Sequence, residues 1–206
     1  MPELRQKLRK YFIMGSQNCT GNPVEILKEA IDGGITAFQY REKGTGSLTG
    51  QAKLKLGKQL REMCRNNGVL FFVNDDVELV VPLDADGIHV GQDDTPIDEI
   101  QRQFPNKIIG LSVSNNQEVT QSPIELIDYI GAGPIYATGT KEDAKPPVGV
   151  KWIHSLRDRF PLLPIVGIGG ITTNNASSVI EAGADGVSII SAITEAKDIK
   201  KAVEKL

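Results

Sequence analysis

Ala85-Asp86-Gly87-Ile88-His89-Val90 and Ala184-Asp185-Gly186-Val187-Ser188-Ile189 follow one pattern, in which Ala-Asp-Gly leads into a short apolar run. A run this short cannot make a helix, and its β-branched residues suit a buried strand. The two runs, Gly87–Val90 and Gly186–Ile190, belong to a series of eight with Tyr11–Met14, Ala37–Tyr40, Leu70–Val73, Ile108–Leu111, Tyr129–Ile135 and Ile165–Ile168. Helical patterns lie between them at Pro23–Asp32, Leu48–Asn67, Asp76–Val81 (one short turn), Pro96–Gln103, Asn116–Leu126 (broken by Ser122-Pro123), Val150–Phe160, Asn174–Ala182 and Thr194–Lys205. Strand–helix alternation implies parallel strands with right-handed crossovers, and eight such units close into an α/β (β/α)8 barrel. An open doubly wound sheet would want a glycine fingerprint after its first strand, and Gly15-Ser16-Gln17-Asn18 is not one.

The chain's 206 residues are near the lower size of such a barrel, and no linker or composition break divides them, so residues 1–206 read as one domain. Leu4 and Leu8, at i and i+4, suggest a short leading helix packed on it. A net charge of −3, with no block of like charges, argues against nucleic-acid binding. No apolar run approaches the roughly 20 residues needed to span a bilayer, and the apolar stretch after the basic start is too short for a signal-peptide core. A cytoplasmic protein is expected, and a homo-oligomer stays open. The 2 cysteines, Cys19 and Cys64, stand outside any CxxC pattern and read as small packing side chains.

In this fold, chemistry gathers where strands end. Gln39-Tyr40-Arg41-Glu42-Lys43 closes the second run, Asn74-Asp75-Asp76 the third, Gly91-Gln92-Asp93-Asp94 the fourth, Ser112 the fifth, and Thr138-Gly139-Thr140-Lys141 follows the sixth. The strand starts carry mostly Gly-Ala-Asp turns. Asp75 and Asp94, at neighbouring strand ends, would repel unless a cation joined them, and hard oxygen ligands favour Mg2+ over zinc. Arg41, Lys43 and Lys141 stand beside them, and a divalent ion with Arg and Lys is what a diphosphate requires. A second anion site is expected at Gly167-Ile168-Gly169-Gly170-Ile171-Thr172 and Ile190-Ser191, where backbone N–H groups can hold a phosphate. His89, His154 and Trp152 read as structural.

Taken together, these blocks resemble the thiamine-phosphate synthase family. The resemblance runs from Tyr11-Phe12-Ile13-Met14 to Ile190-Ser191-Ala192-Ile193 and rests on Gln39–Lys43, Val73–Asp76, Ala85–Asp94, Gly133–Lys141 and Ile165–Ile171. It implies a transferase that joins a hydroxymethylpyrimidine diphosphate to a thiazole phosphate and releases diphosphate. It further implies that Gln39, Tyr40, Arg41, Glu42, Lys43 and Asn74 hold the pyrimidine diphosphate, with Ser112 and Lys141 touching it. Asp75 and Asp94 would bind Mg2+. Thr138, Gly139, Thr140, Gly170, Ile190 and Ser191 would seat the thiazole phosphate. Arg41, Lys43, Ser112 and Lys141 are the expected catalytic set. One departure is Gly110-Leu111-Ser112-Val113-Ser114, where family members often carry histidine at the position of Ser114.

The implied chemistry needs no protein nucleophile. The electron-rich aminopyrimidine can spread positive charge, so the C–O bond to diphosphate breaks early, and the protein stabilises the leaving group and excludes water. Three alternatives stand beside it: a thiazole tautomerase, another phosphate-binding barrel enzyme such as a sugar-phosphate isomerase, and a phosphate-ligand sensor without turnover. The loops Gly44–Gly50 and Gly139–Gly149 are the expected lids.

Overall fold

The computed structural model describes residues 2–139 and 145–206. The strands are β1 (Lys10–Met14), β2 (Ala37–Tyr40), β3 (Leu70–Asn74), β4 (Gly87–Val90), β5 (Ile108–Val113), β6 (Tyr129–Ala132), β7 (Ile165–Ile168) and β8 (Gly186–Ile189). They are parallel and close into a barrel in chain order, β8 returning to β1 through Lys10↔Val187, Tyr11↔Ser188 and Phe12↔Ile189. The helices are α1 (Pro2–Lys7), α2 (Pro23–Asp32), α3 (Gly50–Asn66), α4 (Ile97–Gln103), α5 (Asn116–Gln121), α6 (Lys151–Arg159), α7 (Ala176–Glu181), α8 (Ser191–Thr194) and α9 (Ile199–Glu204). The fold is the (β/α)8 barrel expected from the sequence.

Most ends fall within two residues of expectation, and three elements differ by more, each for a local reason. The sixth strand stops at Ala132 rather than Ile135, because Pro134 has no N–H for the ladder. The helical stretch 116–126 splits into α5 and a 3-10 turn at Ile124–Leu126, because the residue before Pro123 is pushed out of helical geometry. The closing helix also divides. α8 ends at Thr194, and Asp198 then starts α9 by accepting the Lys201 N–H at 3.0 Å.

The two-residue period of the strands sorts side chains into two cores. Phe12, Phe38, Tyr40, Phe71 and Val73 face the helices. Tyr11, Ile13, Ala37, Phe72, Tyr129 and Val166 fill the barrel, and Leu8, just after α1, is fully buried among them. Tyr129 fits because its neighbour across the β5–β6 register is Gly110, where a Cβ would lie 2.2 Å from the Tyr129 ring.

At the strand starts, one polar device recurs on alternate strands. The residue before β2, β4, β6 and β8 accepts a backbone N–H from the preceding strand. Lys10 donates to Thr36 Oγ1 at 3.0 Å, and Phe71, Ile109 and Ile165 donate to Asp86, Asp128 and Asp185 at 2.8 Å each. Two of these aspartates also bind arginine. Arg61 grips Asp86 with both guanidinium nitrogens, at 2.9 and 3.0 Å, and Arg157 pairs with Asp185. The Ala-Asp-Gly pattern is thus the lower seam of the barrel.

Candidate active site

The opposite rim, where the strands end, surrounds a cavity of about 500 Å³. That is within the usual range for small-molecule sites. Arg41 and Lys43 reach it from β2, Asn74 and Asp75 from β3, Asp94 from the turn after β4, and Ser112 from β5. Thr138 and Gly139 line it after β6, Gly169 and Gly170 after β7, and Ile190 and Ser191 after β8. Residues distant in sequence therefore share one mouth because each follows a strand pointing the same way.

The acidic side of this mouth is organised by backbone. Asp75 has a left-handed backbone, φ 47°, and its N–H donates to His89 O at 2.9 Å. Aspartate tolerates that conformation better than most residues. Asp94 Oδ2 accepts the Gly91 N–H at 2.7 Å. The Lys43 ammonium donates to Asp75 Oδ2 and lies 3.6 Å from Asp94 Oδ1. The hydrogen bond to Asp75 holds the Lys43 ammonium above the ordinary lysine value, against the opposing pull of partial burial. Asp76 turns aside and pairs with Lys53 at 2.7 Å.

The other side is a backbone cradle. Gly169 and Gly170 have φ of 93° and 62°, and a Cβ at Gly170 would stand 2.5 Å from Ala137 O. Only glycine combines that conformation with that closeness. Thr172 and Asn175 brace the loop, with Asn175 Oδ1 accepting the Thr172 N–H at 2.8 Å and its Nδ2 donating to Gly170 O at 3.1 Å.

A family model described as thiamine monophosphate synthase matches residues 10–193. The chain belongs to that family. It is 61% identical over 202 residues to a thiamine-phosphate synthase of Oceanobacillus iheyensis, covering 98% of both chains. It is 49% identical over 204 residues to the thiamine-phosphate synthase of Bacillus cereus strain AH820, covering 99% of this chain and 93% of that one. A solved thiamine phosphate pyrophosphorylase from Pyrococcus furiosus superposes with a TM-score of 0.88 at 36% identity, over 98% of this chain and 95% of that one. These findings support the enzyme class expected from the sequence, a transferase of thiamine biosynthesis.

Not every expected residue reaches the mouth. Tyr40 faces the helix layer, where it packs beside Phe71 and its hydroxyl donates to Lys53 O at 2.9 Å. Its side chain therefore points away from the mouth, since neighbours along a strand point to opposite faces. Glu42 does not line the cavity either. It is buried as a loop clamp that accepts the N–H groups of Ser16 at 2.8 Å and Leu48 at 2.7 Å. Gln39 lies below the mouth, buried in the barrel, and donates to Tyr11 Oη at 3.0 Å. Thr140 and Lys141 fall outside the described residues.

Other residues reach the site that the sequence reading left out. His89 bridges Ser112 Oγ, 2.8 Å from Nε2, and Tyr129 Oη, 2.9 Å from Nδ1. Tyr129 meets Tyr11 Oη at 2.9 Å, so a polar chain runs from Gln39 through two buried phenols to Ser112. Burial raises both phenols above the ordinary tyrosine value, which keeps their protons in place. Strand parity was the available signal, since His89 is the direct register partner of inward-facing Gly110. Glu118 and Lys145 line the mouth as an ion pair of 2.7 Å. Glu118 also accepts the Ser114 N–H at 2.7 Å and the Ser114 hydroxyl at 2.8 Å. Burial opposes ionisation of Glu118, but Lys145 and the Ser114 donors outweigh it and hold the carboxyl below the ordinary glutamate value.

Proposed function

We propose that this chain joins 4-amino-2-methyl-5-(diphosphooxymethyl)pyrimidine to a thiazole phosphate, giving thiamine phosphate and diphosphate. The observation that carries the reading is one cavity with two unlike anion seats. One side offers Arg41, Lys43, Asp75 and Asp94, and the other the Gly169–Gly170 backbone with Ile190 and Ser191. A diphosphate suits the first, because side-chain cations can neutralise its charge, and a monophosphate suits the second.

Mg2+ fits the first seat. The carboxylates of Asp75 and Asp94 already converge on a single cation, the Lys43 ammonium. Asp75 and Asp94 would hold the ion, with substrate oxygens and water as its other ligands. When bound, the ion supplies charge neutralisation at the departing diphosphate. Arg41 and Lys43 supply positive charge to the same oxygens, and Ser112, fixed by His89, presents a hydroxyl beside them. The apolar wall of Ile168, Ile171 and Ile190 excludes water while the pyrimidine carries positive charge. The glycine cradle holds the acceptor so that its ring nitrogen attacks the exposed carbon. The resemblance adds Lys141 and Thr140 to these two seats.

A thiazole tautomerase would need a base at the acceptor and would leave Asp75, Asp94 and Lys43 without a role. No helix among the described residues is long and apolar enough to cross a membrane. A cytoplasmic site of action is supported by the charge of both substrates, which keeps them from crossing a membrane unaided. Self-association is a separate expectation, read by sedimentation. The deciding experiment incubates the protein with both substrates, with and without Mg2+, and weighs the product by mass spectrometry. Thiamine phosphate with equimolar diphosphate, formed only with the metal, is the expected result. Substrate isomerisation without diphosphate release would overturn the reading.

A further inference from the structure

The seat between Asp75 and Asp94 already has a cation, and it belongs to the chain. Asp94 is fixed through Gly91 and Asp75 through its left-handed backbone, whereas the ion pairs of the Lys43 side chain are made only by its terminal ammonium, its backbone carbonyl accepting from Gln17 Nε2 at 3.2 Å. Its side chain is 52% exposed, and Gly44 and Gly46 follow it at φ of 100° and 82°. The carboxylates are therefore the fixed partners and the ammonium the movable one. An ammonium and a divalent ion cannot share the same carboxylate oxygens, because the like charges repel at contact distance. Without Lys43, two neighbouring carboxylates would repel each other instead.

We propose that Lys43 is the resident counter-cation of Asp75 and Asp94 in the free protein, and that it leaves them only when a metal arrives together with a diphosphate. The diphosphate offers the displaced ammonium a new anionic partner. A bare divalent ion offers it none. Metal and diphosphate consequently load as a unit, and the same side chain that discourages the naked ion holds the diphosphate once the ion is in. The inference rests on the function proposed above and adds an order of assembly to it.

The test is binding of Mn2+, followed by electron paramagnetic resonance, to the whole protein without either substrate, and in parallel binding of the preformed Mn2+–diphosphate complex. Lys43→Met should bind bare Mn2+ about fivefold more tightly than the native chain, the size expected from losing one partly exposed ion pair. The same variant should bind Mn2+–diphosphate more weakly. Lys43→Arg keeps the charge and should keep the native preference in both. Lys53→Met removes a charge seated on Asp76 instead and should shift bare-ion affinity by less than about twofold. Equal or weaker binding of bare Mn2+ by Lys43→Met, in a protein that still takes up Mn2+–diphosphate, overturns the counter-cation role while leaving the metal reading intact. Failure of the native chain to bind Mn2+–diphosphate at all overturns both.

Discussion

The two rims of this barrel use the same residue types for opposite ends. At the strand starts, Asp86 and Asp185 each face an arginine and a backbone N–H of the neighbouring strand. Their charge is consumed within the fold. At the strand ends, Asp75 and Asp94 face each other across one exposed lysine, and Arg41 stands beside them on a cavity. Their charge is left for something that arrives. The local partners of an aspartate therefore tell which job it has, where its place in the sequence does not. Backbone strain makes the same point by failing to discriminate, because Asp84 at the lower rim and Asp75 at the upper both have positive φ.

The contrast is sharpest at the carboxylates. Asp75→Asn should lower kcat by about 10³-fold with little change in Tm, because asparagine also tolerates the left-handed backbone while it removes a carboxylate that would hold the cation at the leaving group. Steady-state kinetics beside a thermal melt checks it, and near-native turnover would break the distinction between the rims. Arg61→Ala is the counterpart. It leaves Asp86 half-partnered under β3 and should cost about 3 kcal/mol of stability, or roughly 10 °C in Tm, with kcat/KM unchanged at temperatures where the protein stays folded. An activity loss out of proportion to unfolding would mean the lower seam also serves the chemistry.

Gly170→Ala tests the backbone cradle. The added Cβ meets Ala137 O in a conformation that alanine resists, so KM for the thiazole phosphate should rise about tenfold while KM for the pyrimidine diphosphate stays within about twofold. A uniform rise would place both phosphates on one seat. The smallest effect is one of pH. Glu118 has a lowered folded value, so its contribution to stability is complete above its unfolded value of 4.5 and is lost as pH falls through the lower folded one. Glu118→Gln should flatten the dependence of Tm on pH between roughly 3 and 5, and melts across that range check it.

Much of this was legible before any coordinates. The Ala-Asp-Gly repeats marked strand starts because a turn, a side-chain acceptor and a missing Cβ are local needs, written locally. The polar residues after each run marked the mouth because parallel strands end on one rim. What the sequence concealed was direction. Tyr40 and Glu42 sit in the same block as Arg41 and Lys43, yet one faces the helices and the other clamps the loop before α3. His89 read as strand filling because its partners, Ser112 and Tyr129, are on other strands. The pairing of Glu118 joins α5 to the loop residue Lys145 and has no signature in either segment.

The rung that joins Lys10 to Val187 has a consequence for synthesis of the protein. The first strand waits on the last for its second neighbour, and the Ile190–Ser191 seat lies directly beyond that last strand. A chain that ends before the eighth strand therefore lacks both a sealed cylinder and the Ile190–Ser191 side of the mouth. Closure of the cylinder and completion of the mouth arrive in one step.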